Sequence, residues 1–227
     1  MPHAGSTRPI ARLNIAMTER EEVEARLARL ESRLQHLEDL RDIERLQRAY
    51  GYFLDNLMME EIVELFTDDA EVEIGSRGTH RGRAGVDVLM RQILGQGRRG
   101  IGVGEVLNHL QLQGIVTVAD DGSTARGRWR AFLMIGNTEA HGHRTAMLAE
   151  GLYENEYEKI GGRWRIRRLW WNPTFYWPLP GFDQAWFRSL GPSEEFPPDE
   201  TRPEGPPRLL PFHFPHPVTD EEIVIDF

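Results

Sequence analysis

The apolar residues change period part-way along the chain, and this constrains the fold more than any other feature. Up to residue 94 they recur at spacings of three and four, as on helices. From Val106 they alternate, as on strands. "VLNHLQLQGIVTV" reads as a long strand and "ADDGS" as a hairpin turn whose Asp-Gly supplies a positive φ. "TARGRWRAFLMIG" returns, and "NTEAHGHR" makes a second connection. "TAMLAEGLYENEYEKI", a tight "GG" turn and "RWRIRRLWW" complete the run. Helices first and antiparallel hairpins afterwards predict an α+β domain built on one strongly curved antiparallel sheet.

Before the strands, residues 1–17 read as a loose leader. From Thr18 a charged helix begins, with Val23, Leu27, Leu30, Leu34 and Leu37 at alternating spacings of four and three. That is a heptad seam about two and a half heptads long. It fits either an amphipathic helix lying on its own domain or an oligomerisation arm. The seam breaks at Arg41, and Leu40, Ile43, Leu46, Tyr50, Phe53 and Leu57 carry the apolar stripe on in a shifted phase. "MEEIVELF" reads as a short helix ended by "TDDA", "EVEIG" as a strand, and "RGTHRGR" as a turn region. "AGVDVLMRQIL" is a third helix with Val86, Leu89, Met90 and Ile93 on one face, and "GQGRRGIGVG" is a flexible basic loop. Beyond Pro178 the composition shifts: eleven of the fourteen prolines lie between 178 and 217, among Phe182, Trp186, Phe187, Phe196, Phe212 and Phe214. Disordered chains are poor in aromatics, so this tail reads as a wrapping segment. The expected organisation is a leader and helical arm over 1–37, a domain over 38–177 and a tail over 178–227.

Composition removes several function classes. The net charge of −9 and pI near 5.4 lack the basic footprint of a nucleic-acid binder. The absence of cysteine excludes disulfides, thiolate nucleophiles and Cys-held metals. No apolar run spans a membrane and the N-terminus lacks the apolar core of a signal peptide, so the chain reads as soluble and cytoplasmic. His141 and His143 in "HGH" raise a metal site, but a companion glutamate belongs four or five residues on and the nearest, Glu150, is seven away. No metal is therefore expected. The glycines of the 95–104 loop follow no strand and precede no Lys-Ser/Thr, and G-x-S-x-G is absent.

Three stretches carry a resemblance. "QRAYGYFLDN" followed by "ELFTDDAEVEI", the strand opening "NHLQLQ", and "YENEYEKIGGRWRIRRLWWNPTFY" together resemble the SnoaL-like branch of the nuclear transport factor 2-like superfamily over residues 38–177. The resemblance implies a cone: a curved sheet wrapped against helices around a deep apolar pocket. It also implies the chemistry of the cofactor-independent lyases of that branch, such as scytalone dehydratase, bile-acid 7α-dehydratase and hexachlorocyclohexane dehydrochlorinase. These place a Tyr or Lys five residues before an Asp on the first helix, and a His near the start of a long strand, the Asp and His forming a catalytic dyad. The matching positions are Tyr50, Asp55 and His109. Some of these lyases add an Arg on the last strand. In the dehydrochlorinase it stands five residues past the Trp, where this chain has Leu169, so Arg167 is the nearest substitute. Trp129, Trp171, Phe175, Tyr176 and Trp177 would supply a wall for ring stacking.

The residues carry plainer readings beside these. Asp55 lies roughly 140° around the helix from the centre of the Leu46–Tyr50–Phe53–Leu57 stripe, which by periodicity alone makes it a solvated or capping charge. Gly51, one turn earlier on the same face, leaves room for a partner to approach. A lone strand histidine is most often a satisfied core or surface group, Tyr50 a packed aromatic, and Arg167 part of a solvated strand face. With the resemblance, the expected function is elimination of water or formaldehyde from a bulky hydrophobic aromatic substrate, as in relatives that act on lignin-derived diaryl compounds. No cofactor is expected, and a homodimer or homotrimer is. The alternatives are a non-catalytic binding or assembly subunit, like the β chain of aromatic-ring dioxygenases, and an isomerase. A lyase requires Asp55 and His109 in one cavity within about 3 Å, or one water apart.

Overall fold

The computed structural model of the chain describes residues 8–102, 105–140, 143–179, 195 and 212–224. Side chains are described from residue 19 on, except those of 137–140 and 143–145. The chain divides into two compact units, Met1–Asp39 and Leu40–Phe227. Helix α1 runs from Arg8 to Asp55, so helix already occupies half of the stretch expected as a loose leader. In the first unit the seam residues Val23, Leu27, Leu30, Leu34 and Leu37 are all exposed.

In the second unit, the last part of α1 is followed by α2 (Met59–Glu64), β1 (Phe66–Ile74), β2 (Thr79–Arg81) and α3 (Gly82–Asp87), which continues as π-helix over Val88–Leu94. Four long strands follow: β3 (Val106–Val118), β4 (Thr124–Ala140), β5 (His143–Ile160) and β6 (Arg163–Pro178). The six strands form one sheet in the order β2-β1-β6-β5-β4-β3. The hairpins β3–β4, β4–β5 and β5–β6 are antiparallel, but β1 lies parallel to β6, so the sheet is mixed rather than antiparallel throughout. The hairpin rule covers only strands joined by tight turns. Two helices and a short strand separate β1 from the meander, which leaves its direction free. "TDDA", expected to end α2, is inside β1, where Thr67 donates to Asp69 at 2.9 Å. "NTEAHGHR" likewise belongs mostly to the ends of β4 and β5.

Register shifts between Leu112 and Ile115 on β3, between Gly136 and Thr138 on β4, and at Thr174 and Arg167 on β6, opposite Glu150/Gly151 and Glu156/Tyr157 of β5, are bulges that deepen the curl of the sheet. At the β3 bulge Gln113 has φ 49°, and a Cβ on Gly114 would stand 2.1 Å from the Trp129 ring. Only glycine there lets the ring lie against the strand. Between β5 and β6, Gly161 and Gly162 both have positive φ, as the tightest hairpin turns require. The concave face buries Trp164, Ile166, Leu169 and Trp171 of β6 with Tyr153 and Tyr157 of β5. They pack with Ile43, Leu46, Tyr50 and Phe53 of α1.

Of the C-terminal tail, Val218 and Ile223 join this core and Phe212 and Phe214 pack against it. Phe212 packs edge-on to Tyr52 and Phe53, and His216 stacks on Phe53 with ring centroids 5.5 Å apart. Phe182, Trp186, Phe187 and Phe196, expected in a wrapping tail, lie outside the described residues. His216 Nδ1 accepts the backbone N–H groups of Val218 and Thr219, and Nε2 donates to the Glu61 carbonyl at 3.0 Å. The two bonds accepted at Nδ1 require the neutral ring. Burial lowers its pKa, against the opposing pull of the Glu61 carbonyl and the carboxylates of Glu61, Glu64 and Glu221. The unfolded chain therefore takes up this proton first as pH falls. Stability is full above the ordinary histidine value of about 6.5 and declines as pH falls towards the lowered folded value. Denaturant unfolding between pH 7 and 5 is expected to lose stability more steeply in the native chain than in His216→Asn, which keeps an acceptor but does not titrate. Equal slopes would refute the assignment.

Candidate active site

The last turn of α1 meets β3 at the open edge of the sheet. His109 pairs with Leu133 of β4 on one side, and its own backbone N–H and C=O turn outward, where a further strand would otherwise dock. Side chains satisfy both groups instead. Asp55 Oδ1 accepts the His109 N–H at 2.6 Å, and Gln111 Nε2 donates to the His109 carbonyl at 3.1 Å. The same Asp55 oxygen lies 3.0 Å from His109 Nδ1. A carboxylate only accepts, so this contact places the ring proton on Nδ1 and leaves the Nε2 lone pair free. The side chains retain 20% and 12% of their surface for Asp55 and His109, enough for a small molecule to reach the ring and little for bulk water.

Close approach of α1 and β3 depends on Gly51. A Cβ there would stand 2.9 Å from both the His109 carbonyl oxygen and Gln111 Cγ. Beneath the contact runs a buried polar chain. Gln47 donates to Gln111 at 2.8 Å and accepts from Asn155 and Tyr157 at 2.8 and 2.9 Å, while Tyr157 accepts from Trp129 Nε1 at 2.9 Å. Gln111 is thereby held by Gln47 while it holds the His109 carbonyl.

Sheet register builds the rest of the face. His109, Leu133, Ala149 and Tyr176 occupy one rung across β3 to β6, and Trp129, Tyr153 and Trp171 another across β4 to β6. Tyr50 of α1 meets Tyr153 edge-on at 6.0 Å, Tyr153 neighbours Trp171 at 6.2 Å, and Trp171 meets Tyr176 edge-on at 5.8 Å. Burial, then the neighbouring Tyr153 phenol, holds the Tyr50 hydroxyl well above its ordinary pKa. Burial, with a smaller push from the Asp55 carboxylate, raises Tyr153 as well. Both phenols are therefore proton donors at neutral pH. Among the described residues the buried Trp171 Nε1 has no hydrogen-bond partner, and the Tyr50 hydroxyl has only the neighbouring Tyr153 hydroxyl, short of good geometry. Buried donors without good partners cost about 1–3 kcal/mol each.

The structure thus brings together Asp55, His109, Tyr50, Trp171 and Tyr176. It does not bring Arg167, which pairs with Asp69 and Glu158 on an exposed stretch of sheet. The bulge at Arg167, opposite Glu156/Tyr157, is the reason: past it the buried face of β6 continues at Leu169 and Trp171, and Arg167 falls on the other side. Trp129 is sealed into the core by Tyr157 and Gly114 rather than standing on an open wall. Phe175 and Trp177 flank Tyr176 on β6 and are exposed. His141 lies outside the described residues. Tyr153, Gln111 and Gln47 were missed. The period-two run Tyr153, Asn155, Tyr157 in "LYENEYEK" was the available signal, since it sets three polar-tipped residues on one strand face.

The SnoaL-like domain family matches residues 35–169. The chain belongs to this family. Its fold is shared with a hexachlorocyclohexane dehydrochlorinase, LinA type 2, at 20% identity and TM-score 0.56, over 66% of this chain and 94% of that one. A LinA type 3 from Novosphingobium barchaimii LL02 matches at 18% identity and TM-score 0.56, over 66% and 95%. A protein of Novosphingobium aromaticivorans DSM 12444, named only provisionally as a scytalone dehydratase, matches at 22% identity and TM-score 0.53, over 63% and 88%. No curated protein matches the chain. Among the described residues no helix is long and apolar enough to cross a membrane.

Gly51→Ala is expected to push α1 from β3, cost about 1–3 kcal/mol of unfolding free energy as overpacking does, and weaken the Asp55–His109 contact. Denaturant melts and the ¹⁵N shifts of the His109 ring check this. A native-like Nδ1–H signal at unchanged stability would contradict it. Gln47→Leu removes one hydrogen-bond partner each from Asn155, Tyr157 and Gln111. It is expected to cost about 2–4 kcal/mol, read by the same melts.

Proposed function

We propose that this chain is a cofactor-independent lyase acting on a bulky aromatic molecule with oxygen substituents. The observation that supports this most is the single Asp55 oxygen that holds both the backbone N–H and the Nδ1 of His109. This leaves the Nε2 lone pair of a partly exposed ring available as a base. In the reaction a substrate C–H proton passes to Nε2 while the C–O bond on the neighbouring carbon breaks. The leaving oxygen departs as water, taking a proton from the imidazolium or from the Tyr50 hydroxyl. Asp55 stabilises the transient positive ring without itself taking the proton. Where the ring carries a para-hydroxyl and the benzylic hydroxyl has left as water to give a quinone methide, the same base takes the O–H proton of a neighbouring CH₂OH group; the electrons of the breaking carbon–carbon bond form the alkene and return the quinone methide to a phenolate as formaldehyde departs.

An oxygenated aromatic substrate is supported by the exposed Tyr176 ring, which stands edge-on to the buried Trp171 at the head of a run of polar-tipped aromatics. The similar structures named for dehydration and dehydrochlorination belong to elimination chemistry, which agrees with a base-and-carboxylate site.

Full-length protein with chelator present should turn over some member of a panel of aryl-propane diols and diaryl alcohols. Conjugated alkene absorbance and formaldehyde release are the readouts. His109→Gln and Asp55→Asn should each lose roughly 10²–10⁴ in kcat with circular dichroism unchanged, and Tyr50→Phe less. Turnover indifferent to His109 would sink the mechanism. Binding of aromatic alcohols with no turnover across the panel would favour the non-catalytic subunit.

A further inference from the structure

Between Glu19 and Asp39 the only large apolar residues are Val23, Leu27, Leu30, Leu34 and Leu37. They fall on one helical stripe, and each is exposed by 51–65%. Five consecutive apolar layers left in water are costly, since each fully buried Leu or Val is worth about 1.5–3 kcal/mol. A stripe so regular is built for another helix.

The charges beside the seam say which helix. With Leu27 and Leu34 at the a positions and Val23, Leu30 and Leu37 at d, the flanking e positions are Glu24, Glu31 and Glu38. The g positions within the seam are Arg26 and Arg33. One edge is therefore acidic and the other basic. Two helices in parallel and in register oppose g of one to the following e of the other, so Arg26 meets Glu31 and Arg33 meets Glu38, twice over by symmetry. An antiparallel pair would set Arg against Arg and Glu against Glu. Arg26, Glu31, Arg33 and Glu38 make no ion pair among the described residues, whereas Arg20 and Glu24 pair within the helix at 2.8 Å. The seam is bounded by arginines at the adjoining a positions, Arg20 and Arg41, and Glu19 would oppose Glu24 at its N-terminal end. Those features limit the pairing to residues 23–37 and fix its register.

We propose that residues 23–37 pair with a second copy of this chain as a parallel, in-register two-helix coil, with Arg26–Glu31 and Arg33–Glu38 setting the orientation. The coil is short, so it is a concentration-dependent contact rather than a permanent one.

The chain has no cysteine, which makes a single introduced thiol an unambiguous reporter. In the parallel pair residue 23 faces residue 23; in an antiparallel pair it faces residue 37. Full-length Val23→Cys under mild oxidation should give a disulfide-linked dimer at least about tenfold faster than the same variant carrying Leu27→Glu and Leu34→Glu. That background keeps every contact elsewhere in the molecule, so the difference between the two variants reports the seam alone. Reversing the basic edge with Arg26→Glu and Arg33→Glu should suppress the cross-link. Mixing that variant with one carrying Glu31→Arg and Glu38→Arg should restore it between the two. Far-ultraviolet circular dichroism verifies that each variant remains helical. A cross-link that forms only when Val23→Cys is mixed with Leu37→Cys overturns the proposal. So does one that survives the Leu27→Glu/Leu34→Glu background, or no cross-link at any concentration.

Discussion

The open edge of β3 is the constraint on which the site depends. A meander of four long strands must end somewhere, and its last exposed backbone groups need partners. Here the fold closes that edge with a helix rather than a strand, and the partners are a carboxylate and an amide. Asp55 takes the His109 N–H and Gln111 takes the carbonyl. Once a carboxylate sits on that N–H, the side chain of the same residue lies within its reach. The dyad geometry is thus a by-product of edge capping that chemistry can use. Gly51 is its necessary counterpart, because any side chain there would hold the helix away from the strand it caps.

The edge cap would be weak if the strand could shift. It is held by the buried chain from Gln111 through Gln47 to Asn155, Tyr157 and Trp129, which ties α1 to β3, β4 and β5 at once. Such networks are favourable when every member is satisfied and costly when one is removed. One acceptor in it, Asn155 Oδ1, has no partner among the described residues, nor has Trp171 Nε1 nearby, and the Tyr50 hydroxyl has only the Tyr153 hydroxyl. The polar debt of this core is therefore concentrated beside the candidate site rather than spread through the fold.

Much of the second unit was legible because its elements are long and strongly periodic. The four strands of the meander, the turns before β4 and before β6, and the helical stripe that ends at Leu57 follow from spacing alone. What escaped were features that spacing does not encode. The parallel β1–β6 pairing depends on how helices return the chain to the sheet. The fate of Arg167 depends on a single bulge that flips the face of β6, since a one-residue shift inverts every side chain beyond it. Trp129 looked like a pocket aromatic because strand position gives a face but not a depth, and depth here is set by Gly114 across the sheet. Asp55 was the hardest residue. Its angle on the helix argued for solvent, and only the resemblance argued for the site. Its angle from the core stripe is what turns it toward the edge of β3 rather than into the packed centre.

A carboxylate at the C-terminal end of a helix faces the negative end of the helix dipole, which by itself is unfavourable by several tenths of a kcal/mol. Asp55 tolerates the position because two N–H groups of His109 converge on one of its oxygens, each charge-assisted bond worth about 1.5–3 kcal/mol.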